Sequence, residues 1–178
     1  ALGHVHGFDV TVVEPVMVEG SPSSSTRIRA CLREGDVTAA ATMLARLHEV
    51  EGVVVEGDKR GRTIGFPTAN LADICVQCPA DGVYAVVVRV LERDAPLLFG
   101  VANVGVRPTM AAGRSFEVHV FDFEGDLYGA RLRVGLAQRL RGEQRFSSLD
   151  ALVAQIGADV GAARAALTTL RQEWLTWL

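Results

Sequence analysis

The sequence predicts a mainly β fold: a small closed barrel of six antiparallel strands with a C-terminal helix, preceded by a short β-α-α segment. Three observations support this prediction. From Glu49 onwards the apolar residues fall into short runs separated by Gly, Pro and Asp, which is typical of strands joined by turns. From Ser147 the apolar spacing becomes helical, and before residue 48 one alternating run is followed by two helix patterns with capping residues.

The N-terminal segment is predicted as one strand and two helices. Residues 8–18 alternate and are rich in β-branched side chains, which indicates a strand. The serine-rich loop after it can cap a helix that starts at Ser25 and stops at Gly35. Asp36 can cap a second helix that ends near Arg46.

Six strands and a final helix follow. The strands are predicted at 49–56, 68–71, 82–91, 97–104, 115–123 and 131–141. Ser147 and Asp150 form an acidic variant of a capping box for the final helix. We expect the apolar stripe of this helix to pack against the barrel, and Gly157 and Gly161 to break or bend it.

Composition limits the classes of function. The net charge of −3 over 178 residues gives no global reason to expect a nucleic-acid or membrane-surface partner. No apolar run approaches the roughly 20 residues that cross a bilayer, so a cytoplasmic location is expected. The cysteines, Cys31, Cys75 and Cys78, are odd in number and do not suggest a disulfide framework. The lone CxxC of Cys75 and Cys78 is either a metal or redox pair or, as we favour, two ordinary thiols.

A glycine-rich cationic loop comes directly after the first barrel strand. Gly57, Gly61 and Gly65 are spaced four apart, with Lys59 and Arg62 among the residues between them. Such a loop can turn tightly and bring backbone N–H groups and cations to a phosphate. It is neither a Walker A loop nor a dinucleotide fingerprint. A solvated hairpin is the alternative. We call residues 57–65 the glycine loop.

The strand after the glycine loop places two oxygen-bearing side chains together. Thr68 and Asn70 are two residues apart and therefore share a face. Mg²⁺ prefers oxygen ligands and is usually shared between a few protein groups and nucleotide phosphates. The pair is therefore a candidate site for Mg²⁺ and phosphate; a polar pair without a ligand is the alternative.

Glu117 is a candidate catalytic base. In the strand 115–123, Phe116, Val118 and Val120 share one face, whereas Glu117 and His119 share the other. In phosphoryl transfer to an alcohol, a carboxylate accepts the hydroxyl proton. A solvated glutamate is the alternative, and His119 is interpreted as a surface or satisfied residue.

The ordered set GDKRGRTIGFPTANL, DGVYAV, VANVGVRPT, FEVHVFDFEGDLYG, LRGEQRFSSLDAL and QIGAD resembles the riboflavin kinase module of bacterial bifunctional riboflavin kinase/FMN adenylyltransferases, over about residues 49–170. The resemblance implies Greek-key character for the barrel. It also implies transfer of the ATP γ-phosphate to the 5′-hydroxyl of riboflavin, with Mg²⁺, to give FMN and ADP.

The resemblance also assigns roles by position. It makes Thr68 and Asn70 the Mg²⁺ and nucleotide-phosphate contacts, and Glu117 the base. The glycine loop becomes a flap over the nucleotide. The turn at Thr109 becomes a flap near the flavin, and Arg141 a contact to flavin or product phosphate.

Residues 24–29 (SSTRIR) resemble the end of the adenylyltransferase domain of the same family. We therefore divide the chain into 1–47, the C-terminal remnant of a nucleotidyltransferase domain, and 48–178, the kinase barrel and its helix. FAD synthesis by these residues alone is not expected. The alternatives are the C-terminal part of an intact bifunctional enzyme and a flavin-binding module without catalysis, which would not need Glu117. The sequence does not predict the oligomeric state.

Overall fold

The computed structural model describes residues 2–92, 96–106, 114–176 and 178. In chain order its elements are α1 (Leu2–His6), β1 (Met17–Val18), β2 (Ser21–Pro22), α2 (Ser25–Glu34), α3 (Val37–Leu44), β3 (His48–Val55), α4 (Arg60–Thr63), β4 (Ala69–Ala72), β5 (Gly82–Val90), β6 (Leu98–Val106), β7 (Arg114–Val120), β8 (Arg131–Arg141), α5 (Leu149–Thr168) and a 3₁₀ turn (Gln172–Leu175).

Strands β3 to β8 form a closed antiparallel barrel in the order β3-β4-β7-β6-β5-β8. Strands β5, β6 and β7 pair in succession, and β7 also pairs with β4, the strand that precedes all three in the chain. This arrangement is a Greek key. The predicted mainly β barrel with Greek-key character is therefore confirmed. Of the six predicted strands, 115–123 ends early, at Val120, because the chain turns at Asp122, whose φ is 52°.

The barrel interior is filled by alternate residues of its strands. Phe116, Val118 and Val120 of β7 point inward and are 1%, 0% and 8% exposed. Leu32 of α2 and Val37 of α3 belong to the same hydrophobic cluster as these strand residues. The two N-terminal helices therefore share a core with the barrel.

A second hydrophobic cluster joins α5 to the outside of the barrel. Ala163 and Leu167 of α5 pack with Val83, Ala85 and Val87 of β5. The predicted final helix is confirmed, with two corrections. Its cap is Ser148, whose Oγ accepts from the N–H of Ala151 at 3.1 Å, in place of Ser147. The helix also runs unbroken through Gly157 and Gly161, because packing against the sheet outweighs their low helix propensity, about 1 kcal/mol each.

The two predicted N-terminal helices are also confirmed. Ser24 caps α2, which ends at Gly35 with φ 83°, and the Asp36 carboxylate accepts from Ala39 N–H to cap α3. The predicted strand at 8–18 is wrong. Only Met17 and Val18 pair, with Ser21 and Pro22.

Alternation predicts a strand only where a partner strand is available, and no other described strand pairs with residues 8–16. Their apolar side chains lie outside, with Val12 81% and Val13 84% exposed. Neither α1 nor the short α4 was predicted from the sequence. Within the described residues, no helix is both long and apolar enough to cross a membrane.

Candidate functional site

The glycine loop is fitted closely to β4. A Cβ added at Gly57 would overlap the Asn70 amide, lying 2.6 Å from its Cγ. A Cβ at Gly61 would overlap the carbonyl oxygen of Phe66 and lie 3.5 Å from the Thr68 hydroxyl oxygen. Two of the predicted loop glycines are therefore required by close approach to the predicted phosphate residues.

The other predicted residues of this loop differ in their surroundings. Gly65 adopts φ 87°, which favours glycine. Lys59 also has positive φ, 57°, and its Nζ lies 3.1 Å from Glu56 Oε1. Arg62 is exposed and lines a recess that also contains Thr68. The cations of the loop are therefore exposed, and Arg60 and Arg62 each line a cavity that Thr68 also lines.

One row of directly opposed residues crosses the outer face of the barrel. Its members, strand by strand from β4 to β8 through β7, β6 and β5, are Asn70, Glu117, Asn103, Val83 and Arg141. Directly opposed residues in antiparallel strands project to the same face. The strand register therefore brings Asn70, Glu117 and Arg141 to one surface, as the sequence-based site requires.

Thr68, Asn70 and Glu117 form an oxygen-rich group. The Thr68 Oγ1 lies 3.5 Å from Glu117 Oε2, which is long for a hydroxyl hydrogen bond. Asn70 lies opposite Glu117 and is only 6% exposed. Among the described residues, no group of three or more His, Cys, Asp or Glu side chains is arranged to hold a metal ion. A hard cation here would therefore depend on mixed hydroxyl, amide and carboxylate oxygens, which suit Mg²⁺.

His119 holds the segment before β4 in place. Its Nδ1 lies 2.8 Å from the carbonyl oxygen of Pro67, and its ring meets Phe66 edge-on at 5.5 Å. A second edge contact, at 5.8 Å, joins it to Phe121. The interpretation of His119 as a satisfied residue is confirmed, and its contacts fix the approach of Thr68 to Glu117.

Two cavities meet at Thr68. The smaller is a recess of about 80 Å³ lined by residues that include Arg62, Pro67, Asp126 and Tyr128. The larger is a cleft of about 660 Å³, of which Glu117 forms part of the wall. Thr68 lines both, so the recess and the cleft adjoin at a residue whose hydroxyl lies 3.5 Å from Glu117 Oε2.

The large cleft has a polar and an apolar side. Its wall includes the polar side chains of Asn103, Glu117, Arg141, Glu143, Gln144 and Arg145, and the apolar side chains of Val83, Val101, Phe146, Leu152 and Ile156. These apolar residues come from β5, β6, the segment after β8, and α5, and the cleft is further lined by Ile64 and Phe66 beside the glycine loop. This combination of an extended apolar wall with a few polar groups is typical of a site for a small organic ligand.

Arg141 lies in this cleft but is already paired. Its Nε lies 3.0 Å from both carboxylate oxygens of Asp159, and its Nη2 lies 2.8 Å from Oδ2. Gln155 donates to the same carboxylate at 2.8 Å. A direct contact of Arg141 with flavin or phosphate stays a prediction. The predicted site residue Thr109 lies outside the described residues.

Sequence reasoning assigned no role to Asn103 or Asp159, although both lie in motifs that carry the family resemblance. Asn103 lies opposite Glu117 only because of the β6–β7 register, which sequence alone does not give. Asp159 follows Gln155 by four residues on α5, a spacing that places both on one helix face. That spacing was the one available signal for the Arg141 pair. The described structure contains Cys31, Cys75 and Cys78 as free thiols, and burial raises the pKa of Cys78.

Comparison with known proteins gives consistent results. A family model described as flavokinase, or riboflavin kinase, matches residues 44–167. The bifunctional riboflavin kinase/FMN adenylyltransferase of Escherichia coli K12 is 44% identical over 91% of this chain and 51% of its own length. The protein of the same description from Bacillus subtilis is 38% identical over 91% of this chain and 52% of its own. The chain thus spans about half the length of the curated relatives it matches.

Two solved structures share the fold. A crystal structure described as a macrolide-efflux protein from Streptococcus pneumoniae is 38% identical, with a TM-score of 0.81, over 92% of this chain and 53% of its own. The riboflavin kinase from Trypanosoma brucei is 26% identical, with a TM-score of 0.50, over 68% of this chain and 77% of its own.

Proposed function

The chain belongs to the riboflavin kinase family, and on this premise we propose that it transfers the γ-phosphate of ATP to the 5′-hydroxyl of riboflavin, giving FMN and ADP. One observation carries the proposal at the level of the site. Glu117 lies between the oxygen pair of Thr68 and Asn70 on one side and a cleft of about 660 Å³ on the other. A carboxylate in that position can serve a phosphate donor and an alcohol acceptor together.

The donor is proposed to bind on the side of the glycine loop. Backbone N–H groups of a tight glycine-rich turn bind phosphate oxygens well, and Arg62 adds a cation beside Thr68. The loop backbone packs on the Asn70 amide through Gly57. A movement of the loop that closes it over a nucleotide would therefore shift the Asn70 side chain directly.

The acceptor is proposed to bind in the large cleft. The isoalloxazine ring of riboflavin is flat and largely apolar, whereas its ribityl chain carries hydroxyl groups and ends in the reacting one. The cleft offers apolar residues from α5, among them Leu152 and Ile156, and a polar side that includes Glu117. This arrangement suits a ligand with one apolar and one hydroxylated part.

In the proposed step, the Glu117 carboxylate accepts the proton of the 5′-hydroxyl. The hydroxyl oxygen forms a bond to the γ-phosphorus as the bond from that phosphorus to the β–γ bridging oxygen breaks, and ADP leaves with the bridging oxygen. Thr68 and Asn70 position the phosphate group beside the acceptor. The glycine loop and Arg62 stabilise the charge of the equatorial oxygens.

Mg²⁺ is part of the proposal. The oxygens of Thr68 and Asn70 fit this ion, because both are neutral, hard donors beside a phosphate site and leave the charge of the ion available to the nucleotide. When bound, Mg²⁺ neutralises charge on the β- and γ-phosphates. Thr68 and Asn70 would hold it from the side of β4.

The proposal is tested by replacing Glu117 with Gln, which keeps the shape and removes the base. The variant is expected to retain riboflavin binding, measured by flavin fluorescence, while FMN formation from riboflavin and Mg·ATP, followed by HPLC, falls by about 10²- to 10⁴-fold. Glu124→Gln is the matched control, because Glu124 is exposed in the turn after β7 and lines neither cavity. Undiminished turnover in Glu117→Gln would rule out the assigned base.

The relatives that share 91% of this chain are described as bifunctional. That match extends beyond the family-model region of 44–167, which favours a second proposal: residues 1–47 are the C-terminal part of a nucleotidyltransferase domain, and 48–178 the kinase barrel. The same HPLC assay separates the two activities, since FMN without FAD is expected from residues 1–178 as given.

A further inference from the structure

Asn103 is the neighbour of Glu117 on the side away from the nucleotide. Glu117 has two directly opposed partners, Asn70 on β4 and Asn103 on β6. The Cβ atoms of such partners lie about 5 Å apart. Asn103 therefore extends the polar surface of the site by one strand into the large cleft, which it lines.

The side chain of Asn103 faces the cleft and not the barrel interior. Its neighbours Ala102 and Val104 are fully buried in the barrel interior, whereas Asn103 is exposed on the opposite face. Asparagine is also disfavoured in strands, because it packs poorly on a pleated surface. The fold thus gains little from asparagine at this position, which suggests a role in binding.

The order of polar and apolar side chains in the row of opposed residues determines how a flavin would be oriented in the cleft. From Glu117 the next residue is Asn103, and the one after it is the apolar Val83, one strand spacing of about 4.8 Å further on at each step. A flavin whose terminal hydroxyl lies at Glu117, and whose ring lies against Val83 and the α5 residues Leu152 and Ile156, would run its hydroxylated chain past Asn103. A carboxamide donates and accepts hydrogen bonds, so it can bind vicinal hydroxyls.

We propose that Asn103 binds secondary hydroxyls of the ribityl chain, and that it thereby selects acceptors whose chain is polyhydroxylated over those that carry only a terminal alcohol. The inference rests on the proposed kinase function and adds a specificity determinant to it. Removing one partner of a hydrogen bond that is buried on ligand binding weakens the complex by about 1–3 kcal/mol, or roughly 5- to 150-fold.

The test compares two acceptors, riboflavin and N10-(5-hydroxypentyl)flavin, which keeps the terminal hydroxyl and lacks the three secondary ones. Asn103→Ala is expected to lower kcat/KM for riboflavin by about 10- to 100-fold, mainly through KM, and to leave that for the analogue within about twofold. The preference of the unmodified protein for riboflavin would then disappear. Asn103→Thr, which supplies a hydroxyl that can donate and accept one hydrogen bond and suits a strand, is expected to recover part of it.

Gln138→Ala is the matched control, since Gln138 is an exposed amide on β8 that does not line the cleft. Equal losses for both acceptors in Asn103→Ala would overturn the inference, because they would indicate disturbance of Glu117. The absence of any loss for riboflavin would overturn it as well. Titration of each flavin by fluorescence gives the same comparison without turnover. If the unmodified protein phosphorylates neither flavin, the proposed function fails, and the binding titration still decides on Asn103.

Discussion

At the scale of single residues, Gly57 and Asn70 are the most tightly fitted pair in the site. The absence of a side chain at Gly57 lets the loop backbone rest on the Asn70 amide, and Asn70 lies opposite Glu117. The geometry of the proposed phosphate site therefore depends partly on the absence of a Cβ atom at Gly57. Such close backbone approach is a recognised use of glycine.

Gly57→Ala is expected to displace the Asn70 side chain and to lower kcat/KM for Mg·ATP by about 10²-fold, because a misplacement near 1 Å has that effect on an oriented site. It should resemble Asn70→Ala, and both should affect Mg·ATP more than riboflavin binding in calorimetric titrations. Gly157→Ala is the control: a Cβ there meets nothing within 4 Å, and the change should stabilise α5 by up to about 1 kcal/mol. Normal ATP kinetics in Gly57→Ala would contradict the assignment.

His48 links stability to pH. Its Nε2 lies 2.8 Å from the carbonyl oxygen of Gln77, and burial lowers its pKa below the ordinary value of 6.5. The folded state therefore binds a proton less readily than the unfolded state, so its stability falls as pH drops below 6.5. Urea unfolding at pH 7.5 and 5.5 should show a smaller pH-dependent loss for His48→Gln, which keeps an N–H donor, than for the unmodified chain. An equal loss in both would argue against this role.

At the scale of elements, the Arg141–Asp159 pair fastens α5 to β8. The two side chains are 21% and 7% exposed and are joined through both carboxylate oxygens. The same pair lines the large cleft. The position of the apolar wall that α5 gives to the cleft therefore depends on this contact.

Asp159→Ala is expected to lower the free energy of unfolding by about 3–5 kcal/mol, because it leaves the half-buried guanidinium of Arg141 unpaired. Adding Arg141→Met should restore part of that loss, a coupling that a double-mutant cycle in urea measures. The control is Glu173→Ala, which breaks an ion pair with Arg171 that is 59% and 64% exposed and should change stability by less than about 1 kcal/mol. A loss in Asp159→Ala no larger than that of the control would refute the anchoring role.

The elements also show which parts of the fold sequence patterns can predict. Alternation in β7 predicted correctly that Glu117 faces away from Phe116 and Val118, because the two-residue period is a local property. The partners of Glu117 depend on register with β4 and β6, which is set by distant parts of the chain. Residues 8–16 alternate in the same way without forming a strand, because a strand needs a partner as well as a pattern. The Arg141–Asp159 pair, likewise, joins two elements whose packing angle the sequence does not contain.

At the scale of the whole molecule, the N-terminal helices and the barrel share one hydrophobic core. Leu32 is 2% exposed and clusters with Val50 and Tyr84 of the barrel. Its carbonyl oxygen also accepts a hydrogen bond from the Ala80 N–H at 2.8 Å. Whatever the origin of residues 1–47, helices α2 and α3 contribute to the stability of the barrel.

Leu32→Ala is therefore expected to destabilise the barrel itself, by about 2–5 kcal/mol. At roughly 2–4 °C per kcal/mol for a chain of this size, Tm should fall by at least about 4 °C. Far-UV circular dichroism and tryptophan fluorescence should report one coincident transition. Two separate transitions, with the later one unchanged from the unmodified chain, would show that the helices unfold independently of the barrel. Leu149→Ala, at a residue 60% exposed on α5, serves as the control.

The fold keeps its packed interior and its chemistry on opposite faces of the same strands. In β7, Phe116, Val118 and Val120 fill the barrel, whereas Glu117 and His119 face the cleft. A saturation mutagenesis library of this strand, scored for both cellular abundance and growth without external FMN, should therefore show effects on abundance that alternate between neighbouring positions from 116 to 120. Substitutions at positions 116, 118 and 120 would lower abundance, and substitutions at Glu117 would abolish growth at normal abundance. New acceptor specificities are accordingly open to selection at outer positions such as Asn103 of β6 without any cost to the core.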